Sequence, residues 1–193
     1  MRTEIRFAGV GGQGNILAGE WVALAAHTMG MHAVQSPIYT AQVRGGPTSV
    51  DILLDNAPII FPRPTEIDFF LCLAQGAWNV FAKQLKPNAI IVVDPNQVQE
   101  ISPGPQQIYR IPIIQITKQT VGKMVYTSAV SLGIFTRMLP VIPKAVMLQI
   151  IEQNAPAGTV ENNLAAFNAG WNAIESIKPE SRDAVATAVL AGI

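Results

Sequence analysis

The sequence predicts an α/β fold: a three-layer domain with a mostly parallel sheet, helices on both faces and a helical C-terminal part. Three observations predict it. The apolar run through Ile5, Phe7, Ala8 and Val10 breaks into the turn Gly9-Val10-Gly11-Gly12-Gln13-Gly14 and then opens an apolar helix, the order of a strand–turn–helix unit. Two later runs, FFLCLA at 69–74 and AIIVV at 89–93, are apolar throughout, as strands buried on both faces must be. After residue 113 only helical periodicity remains, so strands alternating with helices give way to helices alone.

Taken in order, Asn15 to Met29 reads as the first helix, with Ile16, Leu17, Trp21, Leu24 and Ala25 spaced by three and four and Gly30 placed to end it. Glu20 and His27 mark its narrow polar edge. Met31 to Gln35 reads as a second strand, and Pro37 to Pro47 as a loop. Thr48 to Leu54 alternates as a strand, Asp55-Asn56 turns, and Pro58 to Phe61 is expected to return as an edge strand that tolerates its proline there. The buried run after Asp68 follows, then a helix over Gln75 to Leu85 ended by Lys86-Pro87-Asn88, and the strand Ala89 to Val93 closed by Asp94-Pro95. Ile108 to Pro112 is a short strand. Helices are expected over Ile113–Val121, Tyr126–Leu139, Pro143–Asn154 and Asn162–Ile177, with no further strand after Ile113. Ser128, Ser131 and Gly133 would let the second of these be approached closely. The chain is expected to be one domain over 1–178 with a tail at 179–193.

Composition narrows the class. Of 193 residues 49% are apolar and only 13% charged, about half the roughly 25% usual for soluble domains. That is little charge to clothe a free surface, yet no run approaches the roughly 18 apolar residues of a membrane span. The start carries Arg2, Glu4 and Arg6 and does not read as a signal peptide. Burial against other protein, in the cytoplasm, is the expectation. Zero net charge without a basic cluster argues against nucleic acid. One cysteine, Cys72, excludes an internal disulfide and a self-contained iron–sulfur cluster, and two histidines offer no metal constellation.

The glycine turn is the candidate site. Glycines let backbone N–H groups crowd a ligand, and a helix N-terminus adds partial positive charge. The spacing Gly9, Gly11, Gly14 also fits the dinucleotide fingerprint, but the second strand ends in Val34-Gln35-Ser36-Pro37 without the carboxylate that would accept from a ribose hydroxyl. A second candidate segment, PIYTAQVRGGP at 37–47, places Tyr39, Gln42 and Arg44 before Gly45-Gly46. The fork of Arg44 suits a carboxylate or phosphate; pairing with Asp51 is the structural alternative. No nucleophile with an adjacent base, no phosphate loop with its lysine and no hydrolase carboxylate pair is present. Asp94, at a strand end, is expected to cap a turn.

Four stretches carry a family resemblance: GVGGQG at 9–14, YTAQVRGG at 39–46, PIIFPRPTEIDFFLCL at 58–73 and NLAAFNAG at 163–170, with SLG at 131–133 beside them. In order and spacing, through about Ile177, the chain resembles the gamma subunit or gamma domain of 2-oxoacid:ferredoxin (acceptor) oxidoreductases of the 2-oxoglutarate, pyruvate and ketoisovalerate types. It departs at Thr40, where the family has glycine, and at Gln42, where it has glutamate. The resemblance implies a complex that decarboxylates a 2-oxoacid oxidatively with coenzyme A, giving acyl-CoA, carbon dioxide and reduced ferredoxin. It implies that thiamine diphosphate, magnesium and iron–sulfur clusters sit in alpha- and beta-type subunits and, where present, a ferredoxin-like delta subunit. It implies that this chain is noncatalytic and binds none of these cofactors alone. By the same analogy Gly11, Gly12, Gln13 and Gly14 with Tyr39, Arg44, Gly45 and Gly46 face the coenzyme A side of the active site. The PIIFPRP segment leans slightly to 2-oxoglutarate. A self-sufficient nucleotide-binding oxidoreductase and a non-enzymatic interaction module are the alternatives.

Overall fold

The strands and helices follow from the apolar pattern, and the surprise lies in how the second and third strands are placed. The computed structural model describes residues 2–40 and 45–184. Its elements are β1 (Thr3–Val10), α1 (Asn15–Thr28), β2 (His32–Tyr39), β3 (Pro47–Asp55), β4 (Ile67–Cys72), α2 (Gln75–Phe81), β5 (Leu85–Val93), β6 (Gln107–Arg110), α3 (Ile113–Val121), α4 (Thr127–Met138), α5 (Lys144–Asn154), α6 (Val160–Ala173) and β7 (Glu180–Ser181). They build one seven-stranded sheet in the order β2-β3-β1-β4-β5-β6-β7. β1, β4, β5 and β6 run parallel to one another, while β3 is antiparallel to both β1 and β2 and β7 is antiparallel to β6. β1, β2, β4, β5 and β6 therefore point one way and β3 and β7 the other, which is the mostly parallel α/β sheet that the sequence predicts.

The two faces are covered unequally. Ile5, Phe7, Phe69, Leu71 and Val92 face α1 and the helical C-terminal part, and Phe7, Phe69 and Phe135 of α4 meet edge to face with centroids 5.3–6.1 Å apart. The opposite face, with Ala8, Phe70, Cys72, Ile91 and Val93, is covered by α2 and by the connections around Val98 and Ile101. α4 and α6 cross so closely that glycine is required at the crossing. A Cβ on Gly133 would overlap the Phe167 carbonyl oxygen and lie 2.7 Å from the Trp171 nitrogen. The SLG and NLAAFNAG stretches are thus the two halves of one helix crossing.

Several expectations are corrected. The loop expected from Pro37 is the end of β2, which runs on to Tyr39. The inward donor at Thr40 (to Pro47 O, 3.3 Å) sets the alternation, so the missing N–H of Pro37 falls on the sheet's outer margin and costs no ladder bond. Pro58 to Phe61 is not a strand; it is an irregular arm with Ile60 and Phe61 outward. The helix from Gln75 stops at Phe81, not Leu85: Gln84 turns left-handed (φ 58°) and Leu85–Asn88 join β5. Pro87 is tolerated because the β4–β5 register shifts between Ile67↔Leu85 and Phe69↔Ile90. A strand also follows Ile113 after all, since Glu180 and Ser181 pair with β6. Beyond it Arg182 is buried, donating to the Ser102 carbonyl (2.5 Å), Ser102 Oγ (2.7 Å) and Gln106 Oε1 (2.8 Å) and lying 5.1 Å over the Trp78 ring.

Asp51 already has a buried partner. It is held by Arg6 through two parallel bonds, Nε–Oδ1 at 2.6 Å and Nη2–Oδ2 at 2.9 Å, both residues buried. Arg6 Nη1 also donates to the carbonyls of Phe81 (2.9 Å) and Lys83 (3.2 Å), pinning the left-handed turn before β5. Asp94 does the capping work expected of it: buried, it accepts from Asn96 N–H (2.9 Å) and from Ile114 N–H (2.8 Å) in the first turn of α3.

Candidate functional site

The turn between β1 and α1 is rigid by its own chemistry. Gln13 folds back so that its Oε1 accepts from Val10 N–H (2.8 Å) while its Nε2 donates to the Leu73 carbonyl (3.2 Å). Both polar ends of that amide are spent on the loop and on the end of β4, so Gln13 shapes the turn with its side chain and offers only backbone. A side chain at Gly9 would strike this amide and stand 2.5 Å from Asn15 Nδ2. Gly14 caps α1 in the left-handed conformation (φ 75°) with Ser128 of α4 against it, which leaves no room for a Cβ.

The turn opens into a recess of about 310 Å³ lined by Val10, Gly11, Gly12, Gly14, Asn15, Ile16, Tyr39 and Thr48. The first helix amide with a backbone acceptor is Ala18, to Gly14 O at 3.0 Å, so the amides of Asn15, Ile16 and Leu17 stand at the unsatisfied N-terminus. No acidic residue occupies that first turn, and among the described residues no charged side chain lines the recess. Asn15 is 4% exposed and its Nδ2 has no hydrogen-bond partner. A buried donor without an acceptor is costly. The helix dipole and the unsatisfied amides give the recess a demand for negative or carbonyl oxygen, with Tyr39 and Thr48 also lining it, whereas Asn15 Nδ2 is enclosed against Gly9.

Of the sequence candidates, Gly11, Gly12, Gly14 and Tyr39 come together in this recess. Gly45, left-handed at φ 70°, and the buried Gly46 lead into β3 beside it without lining it. Gln42 and Arg44 lie outside the described residues. Asn15, Thr48 and Ser128 were not singled out by sequence reasoning. Asn15 could have been, because an amide directly after the last glycine of such a turn stands at the helix start; Ser128 had only a close-approach role.

Other chemistry has little support in the described part. Cys72 is buried, and desolvation pushes its thiol up to about 12, a smaller effect of the Ala74 backbone acting the other way, so it stays protonated and inert, its Sγ donating to the Ala74 carbonyl (3.3 Å). Among the described residues no three His, Cys, Asp or Glu side chains converge as metal ligands, and no helix is long and apolar enough to cross a membrane. The topology also tells against a dinucleotide site. That fold sets the second strand parallel beside the first, whereas here β3 lies between β1 and β2.

Residues 4–173 match the family model described as pyruvate ferredoxin/flavodoxin oxidoreductase. The 2-oxoglutarate synthase subunit KorC of Methanocaldococcus jannaschii is 32% identical over 92% of this chain and 96% of its own length. The structure of a keto/oxoacid ferredoxin oxidoreductase gamma subunit from Geobacter sulfurreducens PCA superimposes with a TM-score of 0.84 at 33% identity, covering 92% of this chain and 99% of that one. A 2-oxoglutarate:ferredoxin oxidoreductase from Magnetococcus marinus, with 2-oxoglutarate, coenzyme A and succinyl-CoA bound, shares the fold at a TM-score of 0.80 and 22% identity. This chain spans 93% of its own length there but 32% of that longer chain.

Proposed function

The chain belongs to the pyruvate ferredoxin/flavodoxin oxidoreductase family, and from that membership we propose that it is the gamma subunit of a 2-oxoacid:ferredoxin oxidoreductase, with 2-oxoglutarate as the 2-oxoacid. The observation that carries this is the end-to-end match to a 2-oxoglutarate synthase subunit of nearly the same extent. The complex oxidatively decarboxylates the 2-oxoacid with coenzyme A to an acyl-CoA, carbon dioxide and reduced ferredoxin. Thiamine diphosphate, magnesium and the clusters are supplied by alpha- and beta-type subunits and, where present, a delta subunit.

This chain's part is noncatalytic: it supports assembly and borders the coenzyme A entrance. The recess at the glycine turn supports that role, because unsatisfied amides and a dipole end suit a phosphate oxygen. Arg44, Gly45 and Gly46 belong to the same proposal.

Two measurements test it. The native complex, recovered through a tag on this chain, should reduce a viologen dye in a coenzyme A-dependent way with 2-oxoglutarate ahead of other 2-oxoacids. A soluble, inactive chain recovered alone would favour the interaction-module alternative. Within an intact complex, Asn15→Asp sets a carboxylate at the mouth of the recess. It should raise the KM for coenzyme A several-fold, and because Asn15 is buried the new carboxylate should lower the stability of the chain, which a thermal melt checks. An unchanged KM would remove the recess from the coenzyme A path.

A further inference from the structure

The segment 58–64, PIIFPRP, is held by its backbone and turns its apolar side chains outward. Arg2 Nη2 donates to the carbonyls of Phe61 (3.3 Å) and Arg63 (2.7 Å), and Ser36 Oγ donates to the carbonyl of Pro62 (3.2 Å). Just beyond, Glu4 accepts from the amides of Thr65 (2.6 Å) and Glu66 (2.9 Å). Three prolines, Pro58, Pro62 and Pro64, restrict the backbone further. Yet Ile60 is 94% exposed and Phe61 56% exposed. Between this arm and the end of β2 lies a recess of about 560 Å³, with Pro37, Ile38, Pro62, Arg63 and Pro64 at its sides and the Arg6–Asp51 pair, Ser36 and Gln84 also lining it; Ile38 itself is 39% exposed.

Fixing a backbone at several points to hold two large apolar side chains in water is a poor use of a solvent loop. It is the preorganisation that lowers the entropy cost of binding. The patch also adjoins the candidate site, since Tyr39, the next residue of β2 after Ile38, lines the glycine recess on the other face of the sheet.

We propose that the arm 58–64 with Ile38 is the surface on which this chain docks the large catalytic polypeptide of its complex. This rests on the gamma-subunit reading above. The occupant is argued from a structural neighbour: the same fold makes up 32% of the longer Magnetococcus marinus chain, where it is covalently joined to the rest of that polypeptide. A separate subunit of this size has to hold the corresponding polypeptide by surface alone. The partner surface is apolar, receiving Ile60 and Phe61. Sheet extension is not the mode, because Pro37 removes an outward donor from the margin of β2. Arg63, exposed at the rim, calls for a carboxylate or carbonyl on the partner.

The test is recovery of the native complex through a tag on the wild-type chain, on Ile60→Asp/Phe61→Asp, and on Met29→Asp as a control. Met29 is also an exposed apolar residue, 40% exposed, but lies past the far end of α1. The double variant should yield the chain folded, by circular dichroism, with at least tenfold less of the large subunits, while Met29→Asp recovers them as the wild type does. Full recovery with the double variant, or equal loss with the control, overturns the proposal and leaves the gamma-subunit reading standing. A wild-type chain that recovers no large subunit overturns both.

Discussion

Gly170→Ala puts a single methyl group into the crossing of α6 over α4. The new Cβ would overlap the Val130 carbonyl oxygen and sit 2.8 Å from its carbonyl carbon and 3.0 Å from its Cα. Carbon atoms in van der Waals contact stay about 3.5–4.0 Å apart, so the two helices would have to part by roughly 1 Å. α4 has nowhere to go. Every residue of it from Thr127 to Thr136 is buried, and Phe135 is wedged against Phe7 and Phe69. Overpacking of this kind costs about 1–3 kcal/mol and sometimes more, against a gain of about 1 kcal/mol from replacing glycine within a helix. With backbone as the obstacle the upper end applies, and a net loss of about 2 kcal/mol corresponds to a fall in Tm of roughly 4–8 °C for a chain of this length. Thermal melts followed by circular dichroism measure it. Gly76→Ala in α2 serves as the control, since its Cβ would meet only Pro47 Cγ at 3.4 Å and should leave Tm level or raise it. A Gly170→Ala protein that melts at or above the wild-type temperature would refute the reasoning, because helix propensity would then have outweighed the crossing.

Cys72 carries a pH signature. Its thiol pKa is raised from 9.0 to about 12 by burial, so the folded state keeps a proton that the unfolded chain releases. The associated stability is complete below about pH 9 and is lost as pH climbs toward 12, at about 1.4 kcal/mol per unit. The stability difference between wild type and Cys72→Ala, from urea melts, should therefore hold constant to pH 9 and shift against the wild type above it. Arg6→Met strips Asp51 of its buried partner and should cost about 3–5 kcal/mol by chemical denaturation, with part recovered in Arg6→Met/Asp51→Asn. Arg182→Ala removes the three bonds that strap residues 180–184 to the Ser102–Gln106 loop, a loss of about 1.5–3 kcal/mol. It should also make Trp78 more quenchable by acrylamide in a Trp171→Phe background.

Much of the sheet is legible because its central strands are fully buried and so lose their alternation: FFLCL and AIIVV can be little else. Helices with a strong one-sided pattern are equally legible, and Ile113–Val121 has the predicted bounds. What escapes is decided by partners distant in sequence. Pro37 reads as a break until β3 shows that its missing donor faces away from the ladder. Leu85–Asn88 read as a helix end because nothing local announces that Arg6 will hold the carbonyls of Phe81 and Lys83. Ile60 and Phe61 read as an edge strand because apolar β-formers are assigned to a core, and a surface that expects a partner breaks that rule. At the candidate site the glycines are legible from spacing alone, whereas the spending of Gln13 on its own loop depends on the Leu73 carbonyl, 60 residues away.

The placement of β3 determines what the glycine turn can serve. In a dinucleotide fold, strand two lies beside strand one and its terminal carboxylate fixes the ribose, so one chain completes the site. Here β3 takes that position, with Val50 packed against Gly19 of α1, and β2 is carried out to the margin. The consequence is twofold. β2 brings no carboxylate to the turn, which among the described residues leaves the α1 dipole without an acidic partner. The displaced β2 brings Tyr39 to the recess on one face and Ile38 to the apolar arm on the other, at the same corner of the sheet. Under the proposed docking, a polypeptide seated on Ile60, Phe61 and Ile38 stands beside the recess, so the gamma-subunit reading makes the glycine turn a site completed on assembly.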